Sequence, residues 1–168
     1  MQRPFVIREA IPTEAGRLQE LGILGWETTY ASFLEPENRR GYLAGPFWSI
    51  ERLVSLIENA ACLTLVAEID GTVAGFLTIE PHLPGEVELT RFYVDPSSRS
   101  NGIGRALWEQ TLETLRRNNE RSVLVNVFGD NHAGRRFYER LGFSLIEETT
   151  TVVGSQTVYD VWYRLALR

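Results

Sequence analysis

Six consecutive residues, Arg99-Ser100-Asn101-Gly102-Ile103-Gly104, carry the plainest chemistry in this chain of 168 residues. They join an apolar stretch ending Phe92-Tyr93-Val94 to an amphipathic segment that begins near Ile103. Two glycines let the backbone approach a ligand without side-chain obstruction, and the free N–H groups of a helix's first turn point at whatever binds there. That combination suits an anion, and a pyrophosphate fits it. The run is not a Walker loop, because no Gly-Lys-Ser/Thr follows. Nor is it a Rossmann fingerprint, because Leu107 stands where the third glycine of G-x-G-x-x-G would be. Taken alone, the pattern also describes an ordinary tight turn before a helix, so the surrounding elements decide.

Val87 to Val94 reads as a strand stopped by Asp95-Pro96, and the helix from Ile103 puts Ile103, Leu107, Thr111 and Leu115 on one face. A second strand, Ser122 to Phe128, leads through Asn131 into a short helix holding Phe137, Tyr138 and Leu141, closed by Gly142. Upstream, Phe5 to Glu9 reads as a strand, Thr13 to Leu24 as a helix, and Trp26 to Leu43 as a less regular helical region. Ser49 caps a further helix whose apolar face carries Leu53, Leu56 and Ile57. Leu63 to Ile69 and Thr72 to Ile79 form a hairpin turning at Asp70-Gly71. Gly41 to Pro46 and Pro81 to Gly85 read as surface connections, and Val158 to Leu167 is the last strand, after a turn at Gly154-Ser155. Strands at both ends with helices between them give an α/β or α+β domain.

The segments E-L-T-R-F-Y-V-D-P, R-S-N-G-I-G-R-A-L and V-N-V-F-G-D-N-H-A-G-R-R-F-Y-E-R-L-G-F together resemble the GNAT superfamily of acetyl-coenzyme A-dependent N-acetyltransferases. The resemblance implies a mixed, mostly antiparallel central sheet of six or seven strands flanked by helices. Its fourth and fifth strands are expected to splay apart and admit the pantetheine arm of the cosubstrate, acetyl-coenzyme A. One departure is visible: the small residue three after Asn131 is usually Ala, and here it is Gly134.

Acetyl transfer to an amine needs a neutral nitrogen, a polarised thioester carbonyl and a proton for the departing thiolate. Backbone groups near Phe92 to Val94, freed by a bulge in the strand, are expected to meet the pantetheine amides and the thioester, and the resemblance places cofactor contacts at Phe92 and Val94. Arg99 and Arg105 flank the glycines as partners for phosphate oxygens. Asn101, Gly102, Ile103 and Gly104 contribute mainly backbone N–H groups, and Asn131 caps its helix beside the cofactor. By resemblance Tyr138 protonates the thiolate of coenzyme A. The plainer reading of Tyr138 is core packing. An aliphatic ammonium has a pKa near about 10.4, so a carboxylate should collect its proton. Glu88 stands where some family members carry a catalytic glutamate, Glu86 shares its face, and Asn126 occupies a site where others place a glutamate.

Acceptor recognition is expected from the helical region before the cofactor motif, with Trp26, Glu27 and Tyr30 as candidate contacts: rings and carboxylates together suit a cation. Packing of Trp26 and Tyr30 in the core is the competing reading. The run P-E-N-x-x-x-Y-L, followed by Phe47 and the Leu53 helix, resembles the PaiA-type spermidine/spermine N-acetyltransferases within the superfamily. A polyamine acceptor is the expectation that follows. The alternatives are acetylation of a protein N-terminus, an amino acid or an aminoglycoside, a coenzyme A-binding module without turnover, and a domain with no ligand.

Composition narrows the classes. With 43% hydrophobic residues, residues 1–168 suit one domain. Seventeen basic against 22 acidic residues, a net charge of −5, argue against a nucleic-acid partner and favour a cationic small-molecule amine. Cys62 has no partner for an internal disulfide and reads as a buried core thiol. Two histidines, His82 and His132, lack metal-ligand spacing, so no metal is expected. The absence of a long apolar run argues against a membrane and for a cytoplasmic protein, and the sequence leaves a homodimer open.

Overall fold

The structure is a computed structural model describing residues 4–168. Its elements in chain order are β1 (Val6–Glu9), α1 (Ala15–Tyr30), α2 (Pro36–Leu43), α3 (Ile50–Glu58), β2 (Leu63–Ile69), β3 (Thr72–Leu83), β4 (Glu86–Val94), α4 (Ile103–Arg117), β5 (Ser122–Phe128), α5 (His132–Arg140), β6 (Ser144–Val153) and β7 (Gln156–Ala166). The seven strands form one sheet in the order β1-β2-β3-β4-β5-β7-β6, antiparallel throughout except for the parallel neighbours β4 and β5. The mixed, mostly antiparallel sheet expected from the sequence is the one observed.

Alternation along the strands, reset in β3 by the extra residue Ala74 of a bulge, divides the sheet between two cores. Leu65, Ala67, Ala74 and Leu77 pack on one face with Ile103, Leu107, Trp108 and Leu115 of α4. Val66, Val73 and Phe76 pack on the other with Leu18, Leu21 and Trp26 of α1 and Leu53 and Leu56 of α3. Local signals set several boundaries as expected. Asp70 and Gly71 take positive φ of 49° and 76° in the β2–β3 hairpin, and the Ser49 side chain accepts from the Arg52 N–H at the start of α3 (3.1 Å).

Three features differ from the sequence expectation. Cys62 is half-buried. β3 runs on through Pro81 to Leu83, past the last β2–β3 pair, Leu63 with Ile79. One side of β3 has no partner there, which is where a sheet tolerates proline. Finally, α1 does not stop near Leu24 but continues to Tyr30 through Gly22 and Gly25. These glycines weaken a helix, but they let two rings lie against its backbone. A Cβ at Gly22 would fall 2.0 Å from Trp48 Cζ3, and one at Gly25 would fall 2.3 Å from Tyr93 Cδ1.

Gly22→Ala is therefore expected to destabilise the protein. Ala is the better helix former by about 1 kcal/mol, but overpacking against the fully buried Trp48 costs about 1–3 kcal/mol. Urea unfolding checks this through a lower midpoint, and an unchanged midpoint would mean that the indole shifts freely.

Candidate active site

β4 and β5 pair only over Glu86 to Leu89 and Ser122 to Val125. Beyond that they diverge, as expected for the fourth and fifth strands. Thr90 is the extra residue of a bulge, since Thr78 opposes Arg91 while Ile79 opposes Leu89. The bulge therefore lies before Phe92–Val94 and not within it. Phe92, Tyr93 and Val94 stay in register with Leu77, Phe76 and Gly75 of β3, and it is their edge toward β5 that lacks a strand. Divergence, and not the bulge, frees those backbone groups.

A cavity of about 330 Å³ opens in the gap, and Phe92, Val94, Arg99, Gly104, Asn131 and Tyr138 all line it. Gly102 caps α4 in the left-handed conformation (φ 78°), with open space where a Cβ would stand. The first bond into the helix runs from the Ala106 N–H to the Gly102 carbonyl (3.0 Å), so the N–H groups of residues 103–105 are left facing outward. These groups, with the Arg99 side chain, fit a pyrophosphate. The side chains of the other predicted loop residues stand elsewhere. The Ile103 side chain is buried in the core, Arg105 is turned to solvent and paired with Glu109 (2.7 Å), and Asn101 lines a separate hollow beside Arg17 and Asp95. Asn131 caps α5 by accepting from the Gly134 N–H (3.0 Å). Its amide takes the space that a Cβ at Gly134 would need, with Nδ2 only 2.5 Å from that point.

Tyr138 packs edge-on against Phe137 and Phe143. Burial, with nearby Tyr30 adding to it, pushes its phenol well above the ordinary range and keeps it protonated. Burial likewise raises Tyr93, while the Tyr30 phenol is pushed up to about 12 by burial and Tyr42, against the opposing pull of Tyr93 and Asn131. Tyr30 and Tyr93 line both the first cavity and a second one of about 220 Å³.

This second cavity is walled by rings, including Trp26, Tyr30, Tyr42 and Phe47, and its one carboxylate among the described residues is Glu88. Trp26 is both core and wall: it is buried, stacks on Tyr42 at 4.3 Å, and donates from Nε1 to the Tyr93 hydroxyl (3.0 Å). Glu27 is elsewhere, its carboxylate held by Arg39 (3.2 Å). Burial raises the Glu88 carboxyl, against the opposing pull of His82, whose Nδ1 lies 3.6 Å from Glu88 Oε2. Glu86 does not line the cavity; Ser122 and Arg164 bind it and hold it below the usual carboxylate range. Sequence reasoning missed Phe128 and Trp162 as walls. Phe128 follows Asn126 by two on β5, and Trp162 is directly opposite Asn126 on β7, a signal that needs the strand pairing to be read.

The second wall hangs on Arg91. Its buried guanidinium donates to Glu80 Oε1 (3.0 Å) and to the Phe47 carbonyl (2.6 Å) and lies 3.7 Å over the Phe47 ring. Among the described residues no group of three or more His, Cys, Asp or Glu is placed to hold a metal, and no helix is long and apolar enough to cross a membrane.

Residues 26–143 match the acetyltransferase (GNAT) family. A probable N-acetyltransferase of Xenopus tropicalis, camello, is 30% identical over 143 residues, 83% of this chain. The chain spans 64% of that relative's own length and smaller shares of other curated relatives it matches. Among solved structures, the PaiA N-acetyltransferase of Thermoplasma acidophilum in complex with coenzyme A superposes with a TM-score of 0.80 at 24% identity, covering 94% of this chain and 98% of that one. The ribosomal-protein-S18-alanine N-acetyltransferase of Escherichia coli superposes with a TM-score of 0.74 at 20% identity, covering 98% and 94%. At these identities the likeness speaks for the fold.

The raised Glu88 carboxyl sets a stability test. A folded-state pKa above the unfolded one means that the contribution of Glu88 is fully present below the ordinary carboxylate range and is lost as pH rises through the raised value. Relative to the parent protein, Glu88→Gln should thus gain stability between about pH 4 and pH 8. Urea midpoints across that range check it, and a gap that closes with rising pH would contradict it.

Proposed function

The chain belongs to the acetyltransferase (GNAT) family, and on that premise we propose that it moves an acetyl group from acetyl-coenzyme A to a primary amine by direct attack in a ternary complex. The observation that carries this reading is the meeting of two unlike cavities at the strand splay: one beside the free N–H groups of a helix start, the other ringed by aromatics around one carboxylate among the described residues. Acetyl-coenzyme A supplies an activated acetyl thioester when bound. The N–H groups at the start of α4 and the Arg99 guanidinium hold its pyrophosphate, and the free edge of Phe92–Val94 meets the pantetheine amides. Glu88 takes a proton from the amine, and Tyr138 Oη holds the proton that the departing sulfur needs. Arg105 and Asn101 stay outside this machinery except through their backbone.

The acceptor we favour is a small polyamine. Aromatic faces attract an organic ammonium, and Glu88 gives it a counter-charge. Tyr42 also lines another groove, which carries Glu37 beside Asn38 and Ser155. One amine can thus sit at Glu88 while a distal ammonium reaches toward Glu37. The Arg39-bound Glu27 is not part of this path.

Tyr138→Phe is expected to keep coenzyme A binding by calorimetry while turnover falls about 10²–10⁴-fold, the range for a positioned acid. Wild-type turnover would leave Tyr138 as packing. Release of free thiol with a panel of amines tests the function itself. Spermidine should exceed a peptide N-terminus and an aminoglycoside in kcat/KM. Exposed charge pairs are worth only about 0–1 kcal/mol each, so its KM should climb with ionic strength. A faster peptide, or no salt effect, would overturn the polyamine and leave acetyl transfer standing.

A further inference from the structure

We propose that His82 is the relay that carries the amine's proton from Glu88 to solvent, an inference that rests on the acetyl-transfer reading above. Glu88 lies between two environments. On one side is the aromatic cavity, where a bound amine faces Tyr42, Phe47 and Trp162 and finds no other carboxylate among the described residues. On the other is His82 Nδ1 at 3.6 Å, on an imidazole 37% exposed against 25% for the Glu88 side chain. With a substrate filling the cavity, the proton's remaining route is the partly exposed side of Glu88, where His82 stands. His82 offers the way out.

The placement of His82 depends on an irregularity. β3 and β4 pair Pro81 with Val87 and Leu83 with Glu86, so His82 is the extra residue of a bulge at the rim of the sheet. The charged groups around the pair are few. Glu80 and His82 reach Glu88 from β3. Glu86 lies within electrostatic reach of His82 and is bound by Arg164 of β7 and by Ser122. Glu80 is bound by Arg91 and Arg52. The Glu88 neighbour on β5 is Leu124, which carries no charge. Among the described residues His82 is thus the one nitrogen base facing Glu88, and an imidazole can accept a proton at one nitrogen and release one from the other.

The step balances without a co-reactant. The ammonium gives H⁺ to a Glu88 oxygen, the free amine forms its C–N bond to the acetyl carbon, the carbon–sulfur bond breaks with the electron pair going to sulfur, sulfur takes the Tyr138 proton, and the second proton leaving the nitrogen restores that of Tyr138. Glu88 passes its proton to His82 Nδ1 once the 3.6 Å separation closes to hydrogen-bond length or a water bridges it, Nε2 releases one to water, and exchange with solvent returns the neutral imidazole to its starting tautomer. His82 is a relay partner of the base and touches no reacting atom.

The test compares His82→Ala, His82→Gln and Glu88→Gln in thiol-release assays with spermidine and, separately, benzylamine, from pH 6 to 9 in dilute buffer. His82→Ala should lose on the order of tenfold in kcat, less than the roughly 10²–10⁴ expected of the base itself, with the amine KM within about twofold. Adding imidazole should restore turnover to His82→Ala, leave the parent protein unchanged and fail to rescue Glu88→Gln. A wild-type kcat in both His82 variants beside a crippled Glu88→Gln overturns the relay alone. So does a loss that imidazole does not relieve, which would mark His82 as structural. If Glu88→Gln keeps full turnover, or the parent acetylates neither amine, the acceptor-site reading falls and the relay falls with it.

Discussion

Everything at the site depends on two neighbouring strands that stop pairing halfway. β4 and β5 leave each other after Leu89 and Val125, and a strand edge inside a protein is costly, since an unsatisfied buried polar group loses about 1–3 kcal/mol. The separation is held by what grips each strand on its far side. β4 keeps its ladder to β3 to its end, and β5 keeps its ladder to β7 through Phe128 opposite Asp160. Rings then occupy the wedge: Tyr93 lies under Gly25, and Phe92 meets Phe137 edge-on at 5.4 Å. The exposed edge becomes an asset only when amide groups of a ligand complete it, so the same divergence explains both the cavity and its polarity.

A second constraint ties the wall of the aromatic cavity to the splay. The Thr90 bulge puts Arg91 opposite Thr78, fully buried, where its guanidinium meets Glu80 and the Phe47 carbonyl. Burial lowers its pKa while Glu80 resists that shift. Its Nε has no partner, so the pair is not an optimised source of stability; buried ion pairs often are not. What it does is positional. It fixes the chain before Trp48, and through Trp48 the packing of α1, to the strand that lines both cavities.

Local features were legible in the sequence and long-range ones were not. The glycine loop, the Ser49 and Asn131 caps and the Asp70-Gly71 hairpin each depend on residues within a few positions, and the structure has all of them. The extent of α1 was not readable, because Gly22 and Gly25 break a helix by propensity and keep one only when Trp48 and Tyr93 come to fill their faces. The bulge position depends on how β3 and β4 align, and the Phe128 and Trp162 walls on which strand lies beside which. Arg105 shows the limit from the other side: a cation beside the loop has the right type and spacing, yet a helical neighbour four residues on, Glu109, takes it.

The tie between Glu86 and Glu88 shows how structure turns equivalent residues into different ones. Both lie on β4 and, two apart, on one face, with Glu80 opposite Glu88 on β3. Three carboxylates so close would be indistinguishable bases if solvent alone surrounded them. Arginines separate them. Arg164 takes Glu86, and Arg91 with Arg52 takes Glu80. Among the described residues Glu88 meets no arginine and only His82, with the aromatic cavity before it. The Glu86 carboxyl accordingly falls below the ordinary range while that of Glu88 rises above it. An arginine-bound carboxylate is a poor proton acceptor, because its charge is already satisfied. A carboxylate left partly desolvated is the better one. The cations that neutralise its neighbours therefore do as much as any property of Glu88 to leave it the readiest proton acceptor of the three.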